Sequence, residues 1–519
     1  MQFDEHVKAF FLALAAAGKD AWNTWRSDSA NKDVYVTFSG IDFSQAPKDG
    51  INFSGFEFGD CADFSQCKWR GVDLFRAGAT DIFKPGRACF LGASFGYRAN
   101  FEGATFNDFA SFTGASFGDR ASFAGAAFGQ YASFTGGVEF GAQASFEGAM
   151  FDAAARLDAA GFDDGVSFRG ATFDGGASFQ EAVIGPVANF DGTAFGDWTF
   201  FDFAVFKGAV TFNGKPLAQW TEFFRSITHG LAPDTRRALK KMHKRSWKIN
   251  GSAPDRFLSL SFPNVHFCGD ATFSGRSFER RAVFTASQFD RPPDFDAVTN
   301  ASRIDFTGAH FSFDSRGRLP WDSEVLGCLR TFRKVAEETK NHDLEHDLYI
   351  EERKAERGVS LHRLLEEFKR APITGKPLII GQLLRQCLWI AIIFGYWALA
   401  DYGRSVERPL AWLVVSVFIF HYWYALMLTP LKQQVDPANK DYYDQAVWML
   451  ALGDAVPFVG HLSIDAGIKK SLYCPSDVCG EHSPIPPLGV QVLVIVQNVV
   501  SITLIFFFGL ALRNYFKIK

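Results

Sequence analysis

Catalytic signatures are missing from this chain. Its 519 residues contain no phosphate-cradling G-x-x-x-x-G-K-[ST] loop and no C-x-x-C pair. One formal match exists: His342-Asp-Leu-Glu345-His346 has the H-x-x-E-H spacing of a zinc-protease helix. No third ligand accompanies it and its neighbours are densely charged, so a solvated linker helix is the simpler reading. The sequence therefore points away from an enzyme, and no cofactor is expected. An excess of one charge sign is also missing. With 53 basic and 57 acidic side chains the net charge is −4, which excludes a global attraction to nucleic acid or lipid. The eight cysteines are scattered, apart from Cys474 and Cys479 in the loop Cys-Pro-Ser-Asp-Val-Cys. Facing an oxidising compartment, those two would form a small disulfide; the other six are expected to stay reduced. The first thirty residues lack the charged start, apolar core and cleavage site of a signal peptide, so the N-terminal part is expected in the cytosol.

What is abundant is phenylalanine (58) and glycine (47). From Phe90 the phenylalanines run Phe95, Phe101, Phe106, Phe112, Phe117, Phe123, Phe128 and Phe134, alternately five and six residues apart, and continue to Phe212 with few lapses. The residue two before each rung is usually alanine, as at Ala99, Ala104, Ala110 and Ala115. Neither a 3.6-residue helix nor a two-residue strand alternation produces this spacing. A fixed short period means a stacked array in which each unit buries its apolar side only against its neighbours. Two units make a repeat of about 11 residues.

The unit F-x-G-A-x-F, as in Phe101-Glu-Gly-Ala-Thr-Phe106, resembles the pentapeptide-repeat family, whose consensus places a small residue two before a central Leu or Phe. The resemblance covers about Phe38 to Phe311 and implies an all-β solenoid, a right-handed quadrilateral β-helix with four units per turn, hence about 22 residues per coil and, at the usual strand spacing, a rod of roughly 45–50 Å. The extra residue in every second unit departs from that consensus and leaves the corner turns open.

The expected architecture is multidomain, with residues 1–35 as an N-terminal capping helix. Glu5 to Arg26 reads as one amphipathic helix with Phe10, Leu12, Leu14, Trp22 and Trp25 as its apolar set, covering the open end of the strands. The β-helix occupies 36–213 and 257–315, interrupted by a helical insert over 214–256. Within the insert, Asp234 reads as an N-cap. Arg236, Arg237, Lys240, Lys241, Lys244, Arg245 and Lys248 follow, and Trp247 offers a stacking surface. This composition suits a phosphate-bearing ligand, an oligonucleotide or nucleotide; a solvated or subunit-contacting helix is the competing reading.

Residues 320–371 read as a charged helical linker. Segments 409–430 and 487–512 are apolar and long enough to span a membrane. Residues 377–400 are apolar too but carry Gln382, Arg385 and Gln386, and read as an interfacial or third membrane helix. Arg513, Lys517 and Lys519 favour a cytosolic C-terminus, which with a cytosolic N-terminal part requires an even number of crossings. Between the spans, residues 442–459 are apolar, too short to cross, and end in Gly453-Asp454-Ala-Val-Pro457. This resembles the re-entrant pore helix and filter of tetrameric cation channels. The resemblance implies a homotetramer with an α-helical pore domain in contact with membrane lipid. Met449, Leu450, Ala451 and Leu452 replace the filter residues that confer potassium selectivity, whereas a ring of Asp454 would still favour cations. On the last span, Gln491, Asn498 and Ser501 share one side and read either as pore-facing groups or as packing contacts.

The whole resembles bacterial pentapeptide-repeat membrane proteins with a two-span channel module, and more loosely the membrane effectors of anti-phage systems such as Hailong. That implies a multi-pass inner-membrane channel with a cytoplasmic β-helix, gated by a nucleotide-derived ligand. A membrane-tethered scaffold that binds a protein partner along the β-helix, and a DNA mimic, are the alternatives. A mimic wants an acidic rod, and the outward ladder positions are mostly small and of mixed charge.

Overall fold

The computed structural model describes residues 5–43, 51–69, 88–312 except 107 and 252, 323–370, 405–433, 440–455 and 486–518, with a few single positions between them. The chain forms two compact units, Met1–Glu356 and Arg357–Lys519.

The first unit is built on the ladder. Phe101, Phe106, Phe112, Phe117 and Phe123 are buried, as are Ala99, Ala104, Ala110, Ala115 and Ala121 beside them. Between the rungs lie strands of two or three residues that assemble into four sheets. All their pairings are parallel, most of them between residues 22 apart: Phe162 with Ile184, Val166 with Ala188, Phe173 with Phe195, Ser178 with Phe200. The chain thus visits four sheets and returns one strand further on, a β-helix-like course. Strand separation sets the ring spacing. Phe95 and Phe117 stack at 4.8 Å and 2°, Phe101 and Phe123 at 4.7 Å and 1°. Neighbouring columns meet edge to face, as Phe112 and Phe123 do at 5.5 Å and 89°, the arrangement a ring quadrupole favours.

Units of both lengths turn on a left-handed residue just before the buried small one. In many five-residue units this residue is a glycine, such as Gly103 (65°), and in others a non-glycine such as Glu181 (58°). In six-residue units such as those ending at Phe101 and Phe123 the same place is held by Arg98 and Arg120 (both 59°). The extra residue precedes that corner, and the Cβ penalty of roughly 1–2 kcal/mol is tolerated because cross-coil hydrogen bonds hold the position: Arg98 N donates to Asp119 O and Arg120 N to Ala142 O.

Both ends of the strand stack are covered by helices. The expected single N-terminal helix is two, Glu5–Ala16 and Lys19–Ser27, broken at Gly18 (φ 96°). The break rotates the apolar set. Phe11, Ala15 and Trp22 are buried, whereas Phe10 is half-exposed and Leu12 and Leu14 are only partly covered. Trp22 packs on Phe38, Phe56 and Phe58 and donates to the Glu57 carbonyl, which closes the first coil. At the other end, Phe332 of helix Ser323–Glu338 packs on Phe295, Phe306 and Phe311. Glu352 of helix His342–Arg370 receives both Arg330 and Arg333. His342 and Glu345 form a partly exposed pair 3.5 Å apart.

The insert interrupts the stack without breaking its register. Val210 pairs with Ala271, 61 residues on where other coils use 22, so the insert adds 39 residues. Arg276 ties its two flanks together. Fully buried, it donates to the carbonyls of Phe212, Thr193, Pro254 and Phe190 and lies over the Phe257 ring. Burial pulls its guanidinium down to about 9 against the opposing pull of Asp191 and Asp255.

Candidate functional site

The insert consists of helices Leu217–Ile227 and Pro233–Asn250. Its basic helix does not project from the repeat region; it lies along it, in a groove that the repeat creates. Gly103, Gly125, Gly148, Gly170 and Gly192 occupy the same corner in five successive coils. A Cβ at Gly125 would fall 2.2 Å from Leu231 Cδ1, and one at Gly170 2.3 Å from Ile227 Cδ1. The missing side chains therefore admit the insert's Trp220, Phe224, Ile227, Leu231 and Leu239, which form one buried cluster with Ala127. His243 anchors the helix from its inner face. Its Nε2 lies 3.1 Å from the Gly148 carbonyl and Nδ1 2.6 Å from the Thr172 hydroxyl. A carbonyl only accepts, so Nε2 carries the proton and Nδ1 accepts from Thr172. Burial lowers its pKa to about 4 despite the Gly148 bond. Ser246 adds a bond to Asp174 at 2.5 Å.

This docking divides the predicted ligand residues. Arg237, Lys241, Lys244 and Lys248 recur every three or four residues, on the side of the helix opposite Leu239, His243 and Ser246, and are exposed. Arg245 is exposed at the edge of this stripe, and Lys240 is half-buried on its other edge. Burial, then the like charges of Lys244 and Arg225, hold the Lys240 ammonium below the ordinary lysine range. Lys241, Lys244, Arg245 and Lys248 make no ion pair among the described residues, and Arg237 makes only an exposed one with Asp234 at 3.2 Å. Two expected ligand residues have structural work instead. Arg236 donates to the carbonyls of Thr228, His229 and Leu231 and so fastens the turn between the two helices. Trp247 is turned inward and only partly exposed, perpendicular to Trp220 with ring centroids 4.5 Å apart. Asp234 is not the N-cap either: Ala232 is, with Pro233 in the first turn, and Asp234 faces solvent.

A cleft of about 550 Å³ opens between the basic helix and the repeat region. Asp108, Asp152 and Asp174 line one wall, opposite Met242 and Arg245. Burial, with Asp174 and Asp108 next to it, raises the Asp152 carboxyl above its ordinary range. Such a wall repels anions, which favours the outer stripe over the cleft as the place for phosphate.

In the second unit, helices Glu407–Lys432 and Leu488–Ile518 are long and apolar enough to cross a membrane. Val414, Phe418 and Tyr422 on one, and Val492, Ile495 and Val499 on the other, point outward and are exposed. A soluble core helix hides such residues. Helix Lys440–Ala455 packs against both through Tyr443, Val447, Leu450 and Ala451. Gly453 and Asp454 stand in its last turn, half-buried and helical, and Asp454 accepts from the Tyr424 hydroxyl at 3.3 Å. Gln491 donates to the Pro486 carbonyl and Asn498 to Val494 in its own helix, while Ser501 is buried. The group that joins the short helix to the last one is Gln497, fully buried, donating to Ala451 O at 2.6 Å. Its position four before Ser501 was the available signal. His421 stacks on Trp448 at 3.6 Å. Pro457, Cys474, Cys479 and nearly all of 377–400 lie outside the described residues.

No curated protein and no solved structure matches the chain. Residues 90–138, from the most regular part of the ladder, match the family described as Pentapeptide repeats (9 copies), and this segment is a pentapeptide-repeat array joined to helices of membrane-spanning length.

Proposed function

We propose that this protein is a membrane ion channel controlled by a cytosolic sensor, a quadrilateral β-helix carrying an anion-binding insert. The observation that carries the channel reading is the short helix Lys440–Ala455, seated against two apolar helices and tied by Gln497 to Ala451 O. Span, short helix and span in this order recur in pores assembled from several copies, where one chain supplies only a sector of the wall. Asp454, at the end of the short helix, would contribute one carboxylate per copy to a cation-attracting ring. The stripe of Arg237, Lys241, Lys244 and Lys248 would bind a nucleotide or oligonucleotide through its phosphates. Such a ligand shifts the pore only if it binds the open and closed states unequally. Insertion in a bacterial inner membrane, with depolarisation as an anti-phage response, is the physiological role that suits this arrangement. Current through a planar bilayer containing the purified full chain is the deciding measurement. Cation-selective steps altered by Asp454→Asn are expected. A silent bilayer at all ligand concentrations would leave a membrane-tethered scaffold as the better reading.

A further inference from the structure

On a face of the repeat region away from the insert, three side chains of different chemistry converge. His266 and Cys268 straddle the buried rung Phe267, so strand alternation turns both outward. Phe267 pairs with Phe289, which sets Asp290 beside Cys268 one coil on. His266 Nε2 lies 3.0 Å from Asp290 Oδ2, and the imidazole nitrogen, thiol sulfur and carboxylate oxygen all lie within 4.8 Å of one another. Gln288 Nε2 donates to Asp290 Oδ1 at 2.9 Å, holding the carboxylate with its other oxygen toward the histidine.

We propose that His266, Cys268 and Asp290 form a binding site for a divalent transition metal of the zinc class. Nitrogen, sulfur and carboxylate donors together select a borderline ion over magnesium or calcium, which take oxygen ligands. Around zinc, with bonds of about 2.0–2.3 Å, tetrahedral ligand atoms stand roughly 3.3–3.6 Å apart. Side-chain rotations that draw the sulfur in by about an ångström reach that geometry. Gln288 fixes the orientation of one ligand, as outer-shell partners of metal sites do. His310 pairs with Gln288, two coils beyond His266, and at about 10 Å is too distant to complete the set. The fourth position is left to water. Metal here would link two adjacent coils, Cys268 and His266 on one and Asp290 on the next.

Titration of the chelator-treated full-length protein with Co²⁺ in detergent tests the site. One equivalent should produce a thiolate-to-cobalt charge-transfer band with intense tetrahedral d–d absorption. Cys268→Ser should abolish the charge-transfer band and His266→Ala should weaken binding at least tenfold, both with unchanged far-ultraviolet circular dichroism. Should either variant misfold, the wild-type protein still decides: Zn²⁺ should slow alkylation of Cys268 relative to Cys61, Cys89 and Cys328. No band in the wild type, an equal band in Cys268→Ser, or alkylation of Cys268 unaffected by Zn²⁺ would overturn the proposal.

Discussion

A single rung such as Phe123 touches rings in three directions. It stacks on Phe101 below and Phe146 above and meets Phe112 edge-on. Phe123→Ala should therefore cost about 3–5 kcal/mol, because neighbouring coils cannot collapse into the void without breaking strand register. Ser122→Ala, one residue away on the outer side, should be nearly neutral, and denaturant unfolding distinguishes the two. Equal losses would mean that inside and outside are misassigned. His243 makes a pH prediction. Its folded pKa, about 4, lies below the ordinary histidine value, so protonation favours the undocked state. The stability it supports is fully present above about pH 6.5 and is lost as pH falls from there to about 4, at up to ~1.4 kcal/mol per pH unit. Fluorescence of Trp220 and Trp247 should report release of the insert over that window, and His243→Asn should flatten the response. The rungs were legible from residue type and spacing. His243 was not, because a histidine inside a run of lysines and arginines gives no sign that it faces inward.

At the scale of the helix, docking separates binding residues from structural ones. Arg237→Gln, Lys241→Gln, Lys244→Gln and Lys248→Gln together should weaken binding of single-stranded oligonucleotide and lower its salt-dependence slope by up to about 3, at roughly 0.7 per lost phosphate contact. Tryptophan fluorescence should not change, since the four side chains leave the helix opposite its buried side. Arg236→Gln should do the reverse, loosening the insert by removing three carbonyl contacts while leaving the slope nearly intact. A slope unaltered in the fourfold variant would remove the stripe from the ligand hypothesis. Charge and helical period were readable in the sequence. Which charges were spoken for was not, because Arg236 satisfies carbonyls at a turn between helices that no local pattern specifies.

For the whole molecule the decisive quantity is copy number. One short helix per chain cannot enclose a pore, so the channel proposal requires a closed ring, and on that proposal a tetramer is expected by light scattering in detergent. A monomer or dimer would count against the channel and leave anchoring as the role of the apolar helices. Gln497→Leu should loosen the short helix from the last span, because it strips the Ala451 carbonyl of a buried donor. The expected readouts are a less stable oligomer and altered conductance.

The period of phenylalanine and alanine by itself determined a stacked array, because each short unit can bury its apolar side only against its neighbours; four units per coil followed from the resemblance to pentapeptide repeats. Length and apolarity likewise identified the two long helices. Tertiary structure decided what period and composition leave open. It laid the insert along a strip of glycines, since close approach depends on what the facing coil lacks. It turned Trp247 and Arg236 inward and left four cations outside. It also brought His266, Cys268 and Asp290 together across coils, because side chains 22 residues apart become neighbours only once the chain has wound.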